Sequence, residues 1–153
     1  MNIRQDIQLN RRTGQEDQAP TSDIWLNGQP TQVQVPGAVL EAAVQWQDKT
    51  LLLVTDDVPY EEALRIMLLD ADLTMMDAAE LGAPYSTGSF RELMLMPPDK
   101  LSFHFIGDTT WTVTLLPQAG FRLPWVTEPR GVSRPFGFQR HFVVDGQPLP
   151  QAH

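Results

Sequence analysis

From about Val39 to Leu116 apolar and polar residues alternate in short runs broken by turn residues, which predicts half-buried β-strands joined by tight connections. Three hairpins can be registered from this pattern, because a one-residue slip would turn every apolar side chain to the wrong face. Trp46 is set opposite Thr50 around Gln47, Asp48 and Lys49, with Val44 against Leu52 and Ala42 against Val54. Leu95 is set opposite Leu101 across Pro97, Pro98 and Asp99, with Leu93 against Phe103, so that the prolines fall where no ladder donor is needed. Phe105 is set opposite Trp111 around Gly107, Asp108 and Thr109, with Phe103 against Val113 and Leu101 against Leu115. The last three strands then form a meander whose other face carries Ser102, His104, Thr112 and Thr114, a wetter surface.

Before this region, residues 1–22 read as a polar N-terminal arm with one short strand, anchored only by Ile3, Ile7 and Leu9. Residues 23–153 read as a single β-rich domain. It opens with Ile24, Trp25 and Leu26 running into the Asn27-Gly28 turn, followed by an alternating strand through Val33 and Val35.

Residues 58–81 carry two competing signals. Asp57 as N-cap, Pro59, and Glu61 four residues before Arg65 favour a helix start. The apolar runs Leu64 to Leu69 and Leu73 to Leu81 around Asp70, Ala71 and Asp72 favour a hairpin, with Leu69 against Leu73, Leu68 against Thr74 and Met67 against Met75. We expect one short helix near residues 59–63 and then the hairpin. Beyond Pro117, closely spaced prolines leave room for short extended pieces such as Phe138 to Val144, so a Pro-rich C-terminal tail is expected to pack on the rest of the sheet. The expected fold class is all-β, mainly antiparallel meander, as a barrel or sandwich.

Composition narrows function by exclusion. A chain of 153 residues can bury a sufficient core without a metal or disulfide staple. It has no cysteine, which removes disulfides, thiolate nucleophiles and sulfur-ligated zinc. No apolar stretch approaches the length needed to span a bilayer, and the start has no apolar leader, so a cytoplasmic location is expected. The net charge of −8 opposes nucleic acid and anionic lipid as partners. A protein partner is electrostatically easier, and open sheet edges are compatible with a homodimer.

No segment carries a specific catalytic motif. The most charged stretch is acidic: Asp56, Asp57, Glu61, Glu62, Asp70, Asp72, Asp77 and Glu80 accompany Arg65 alone, and most charge runs of this kind are solvated faces. Its spacing matches no calcium loop, and no metal site and no cofactor are predicted. The Gly82 to Ser89 segment has the small residues of a phosphate loop without its lysine, so a turn is the plainer reading, with Tyr85 able to project into a site. Arg122, Arg130, Arg134 and Arg140 interleave with aromatics and form the basic counterpart of the acidic stretch. His104, on the polar face, is the candidate proton carrier if a carboxylate orients it.

The first expectation is therefore a non-catalytic binding protein that presents an acidic face to a partner protein. Its contact residues would be Asp56, Asp57, Glu61, Glu62, Asp70 and Asp72, with Tyr85, Arg130, Arg134 and Arg140 as further binding candidates. The alternative is a β-barrel that binds a small apolar ligand. The third is an enzyme using His104 or a pair of acidic residues.

Overall fold

The computed structural model describes residues 1–13, 19–57, 63–82, 88–107, 109–120, 129, 131–134 and 140–146, with the backbone alone at 119–120. The described residues form strands joined by turns, with no helix among them, and every pairing is antiparallel. The expected helix near 59–63 falls on residues outside this set, apart from Ala63.

Among the described residues thirteen strands make three open sheets. The central one has the order β1 (Asn2–Ile3), β5 (Val39–Trp46), β6 (Lys49–Thr55), β7 (Leu64–Leu69), β8 (Met75–Leu81), β12 (Val132–Ser133). A three-stranded sheet of β2 (Ile7–Arg11), β3 (Thr21–Leu26) and β4 (Gln29–Pro36) packs on one of its faces. A four-stranded sheet, in the order β13 (Arg140–Asp145), β11 (Thr110–Gly120), β10 (Lys100–Ile106), β9 (Gly88–Met96), packs on the other. The arrangement is sandwich-like on each side of the central sheet, and among the described residues no sheet closes into a barrel.

This layering explains the apolar runs that alternation could not resolve. Leu51 and Leu53 point into the core shared with the four-stranded sheet, whereas Leu52 and Val54 point into the core shared with the three-stranded sheet. Leu64, Ile66 and Leu68 divide in the same way from Met67 and Leu69. A strand buried on both faces has no polar side to show, so its sequence reads as a continuous hydrophobic run.

The registers agree in part with the sequence expectation. Leu101 does face Leu95, but a bulge follows, placing His104 opposite Arg91 and displacing the expected partnership of Leu93 with Phe103. The β10–β11 pair is shifted by two residues, with Phe103 opposite Trp111 and Leu101 opposite Val113. A two-residue shift preserves the faces, so Leu101, Phe103, Phe105, Trp111, Val113 and Leu115 are all buried as the alternation requires.

Two other registers are corrected. Trp46 pairs with Lys49 and Val44 with Leu51, because Gln47 adopts a positive φ of 55° and closes a two-residue turn. Trp46 then reaches the other sheet, donating from Nε1 to the carbonyl of Pro98 at 2.9 Å. Leu69 pairs with Met75 and Met67 with Ala78, so the connection is longer than expected. The carboxylate of Asp70 accepts from the amides of Asp72 and Thr74, both at 2.9 Å, and holds residues 70–74 as a compact loop with Leu73 buried at its tip.

The N-terminal residues contribute two strands where one was expected: β1 extends the central sheet beside β5, and β2 pairs with β3. Of the C-terminal tail, β12 borders β8 and β13 borders β11.

Candidate functional site

The three-stranded sheet is too narrow to cover the whole face it packs on. Beyond Pro36, at the end of β4, the β7–β8 part of the central sheet is left as a shelf, and Ser133 and Arg134 rise as the opposite wall. The space between is a pocket of about 420 Å³ with a floor of Met67, Met75 and Ala78. Methionine suits such a floor because its unbranched thioether adapts to irregular apolar shapes. Arg65 and Glu80 complete the lining as polar groups.

Strand pairing brings those two together, since Arg65 is the direct cross-strand partner of Glu80. Arg65 also grips Asp56, just past the end of β6, with Nε and Nη2 donating to the two carboxylate oxygens at 2.9 and 3.1 Å. Its Nη1 donates to Glu80 Oε2 at 3.3 Å. Burial works against the guanidinium charge, but the hydrogen bonds and charge of Asp56, with the charge of Glu80, outweigh it and hold the Arg65 pKa above its ordinary value.

Arg134 belongs to a second, deeper pair. Its side chain is 2% exposed and that of Asp77 is 0%. Arg134 Nη2 donates to Asp77 Oδ2, both terminal nitrogens reach the carbonyl of Phe142 at 3.3 Å, and the guanidinium lies 4.4 Å from the Phe142 ring centre. The same Asp77 oxygen accepts from the amides of His141, at 2.8 Å, and Phe142, at 3.3 Å. Asp77 therefore ties β8 of the central sheet to β13 of the four-stranded sheet, a structural role that its place in an acidic run did not signal.

The remaining acidic candidates are spread out. Asp56 and Asp57 follow β6, while Asp70 and Asp72 follow β7, which runs antiparallel to it, so the two groups lie at opposite ends of a six-residue strand, roughly 20 Å apart. Asp70 is engaged in its own turn and Asp72 is exposed. Arg140 opens β13. Glu61, Glu62, Tyr85 and Arg130 lie outside the described residues.

His104 does meet a carboxylate. A positive φ of 58° at Glu92 accompanies the bulge in β9 and places Glu92 Oε2 3.2 Å from His104 Nε2. Thr110 Oγ1 stands at the same distance from that nitrogen, in place of the neighbours expected from the unshifted register. Sequence could not show this partner, since a bulge has no fixed residue signature. The pair lies on the open outer face of the four-stranded sheet, with Glu92 68% exposed. Water competes there for every proton and charge, so the arrangement lacks the exclusion that general acid–base work exploits. Among the described residues no group of three or more potential metal-ligating side chains comes together, and no helix is long and apolar enough to cross a membrane.

Comparison of the chain with protein-family models, with curated protein sequences and with solved structures found no match in any of the three.

Proposed function

We propose that this protein is a non-catalytic binding protein that takes a small, largely apolar molecule into the pocket between β4, β7, β8 and β12. The observation that carries this reading is the pocket itself, a cavity of about 420 Å³, within the size range of small-molecule sites, with a methionine and alanine floor and a few charged groups at its walls. It is a flank site beside a sheet, in place of the interior of a barrel. Partner binding through a single acidic surface has less behind it, because Asp56 and Glu80 are engaged by Arg65, and Asp70 and Asp72 lie at the other end of the strand.

Methyl-labelled methionine gives a direct test, since Met67 and Met75 line the pocket while Met94 is 61% exposed elsewhere. Fragments with apolar rings or chains are expected to shift the Met67 and Met75 signals saturably and to leave Met94 in place. A fragment library that moves neither pocket methyl overturns the reading.

A further inference from the structure

The charged groups around the pocket do not balance, and the surplus has a location. Among the described residues, the two guanidiniums that line the pocket, Arg65 and Arg134, pair with three carboxylates, Asp56, Asp77 and Glu80, which leaves one negative charge in excess. Asp77 is sealed against Arg134 and three backbone amides, those of Ala78, His141 and Phe142. Asp56 is held in a two-pronged bond and is 11% exposed. Glu80 is 45% exposed, and its one bond to Arg65 is the long one, at 3.3 Å, through Oε2 alone. The carboxylate of Glu80 thus keeps unused acceptor capacity at the pocket wall, beside an apolar floor.

Both guanidinium charges are already met by carboxylates, Arg65 by Asp56 and Glu80 and Arg134 by Asp77. Three of the five N–H donors of Arg65 go to Asp56 and Glu80, and Arg134, whose Nε has no partner among the described residues, is buried, so turning it toward the pocket would strand Asp77 in the interior, a cost that an incoming carboxylate would have to meet. From this we infer that the pocket selects cationic amphiphiles: an ammonium group pairs with Glu80 while the apolar body lies over Met67, Met75 and Ala78. The inference rests on the pocket being a binding site, and it adds the charge of the ligand.

Three probes of matched length test it: octylamine, octan-1-ol and octanoate, titrated into the full chain with methyl-labelled methionine at moderate salt. All bury the same chain, so differences report the head group. The amine is expected to bind roughly five- to tenfold more tightly than the alcohol, as for one charge-assisted bond at a partly exposed site, and octanoate more weakly than either. In Glu80→Gln, whose Arg65 keeps Asp56, the amine advantage is expected to disappear while alcohol binding is unchanged.

Each other result is decisive. No shift of Met67 or Met75 with any probe overturns the pocket as a binding site. Alcohol binding with octanoate as tight as octylamine overturns the charge preference and leaves the pocket standing. An amine preference that survives Glu80→Gln assigns it to the overall charge of −8 and removes the role given to Glu80.

Discussion

The two faces of the central sheet are filled by different means. Toward the four-stranded sheet the core holds 17 buried residues among those described, and five are aromatic: Trp46, Phe103, Phe105, Trp111 and Phe142. Toward the three-stranded sheet it holds nine, all aliphatic or methionine. Both faces are built from the same strands, and apart from Trp46 of β5 the rings come from the covering sheet. Four strands with large rings close one face, whereas three strands with small side chains close part of the other and leave the pocket. A pocket can arise in this fold from one layer being narrower than its neighbour.

The sharpest way to break the closed side is to remove its buried charge. Asp77→Ala would leave the Arg134 guanidinium in the interior without its counter-ion and the amides of His141 and Phe142 without their acceptor. A loss of about 3–5 kcal/mol in unfolding free energy is expected by urea denaturation. Asp56→Ala on the pocket side should cost clearly less, because Arg65 retains Glu80 and is already 21% exposed. Equal losses would remove the distinction between the two sides.

Truncating the apolar cores extends the comparison. Phe103→Ala opens a void among fully buried neighbours and is expected to cost about 3–5 kcal/mol. Met67→Ala enlarges a space that already exists beside it, so its cost should sit near the lower bound of about 2 kcal/mol for such a change, again by urea denaturation. A comparable effect is expected where the chain passes from β4 to β5. Gly37 has a φ of +109°, and a Cβ there would run into Val54 of the central sheet. Gly37→Ala should cost about 1–3 kcal/mol through this overpacking and should lower the melting temperature without changing the strand content seen by circular dichroism.

Much of this architecture was legible in the chain. The Asn27-Gly28 turn and the inward face of β10 and β11 follow from local chemistry and period-two alternation, which survive a two-residue error in register. What escaped was non-local. The runs at Leu51 to Val54 and Leu64 to Leu69 are apolar because two different sheets press on them, and nothing within the runs says so. The site was less legible still. Arg65 and Glu80 stood out as charges, but the floor of Met67, Met75 and Ala78 looks like ordinary core in the sequence. Only the missing width of a separate sheet exposes it. Glu92 became a partner of His104 through a bulge, which no pattern of types announces.

The smallest expected effect lies where the chain first crosses from the central sheet to the narrow one. Between β1 and β2, Arg4 holds the Asp6 carboxylate with bonds of 3.0 and 2.7 Å and reaches Thr50 Oγ1 of β6 at 2.7 Å, fastening the crossover to the sheet it leaves. The hydrogen bond from Arg4 lowers the Asp6 pKa below its ordinary 3.8, with slight burial opposing. A lowered carboxylate pKa adds stability that is present above the unfolded value and is lost as pH falls through the folded one. Asp6 is 34% exposed, so water screens the pair, and Asp6→Asn should cost about 0.5 kcal/mol or less at pH 7. The difference between variant and wild type in urea midpoint should persist from pH 7 down to about pH 4 and shrink below 3.8 as Asp6 protonates. A difference that stays constant through the acid range would mean that the contact acts through shape and not charge, leaving the bond from Arg4 to Thr50 as the tie between the layers.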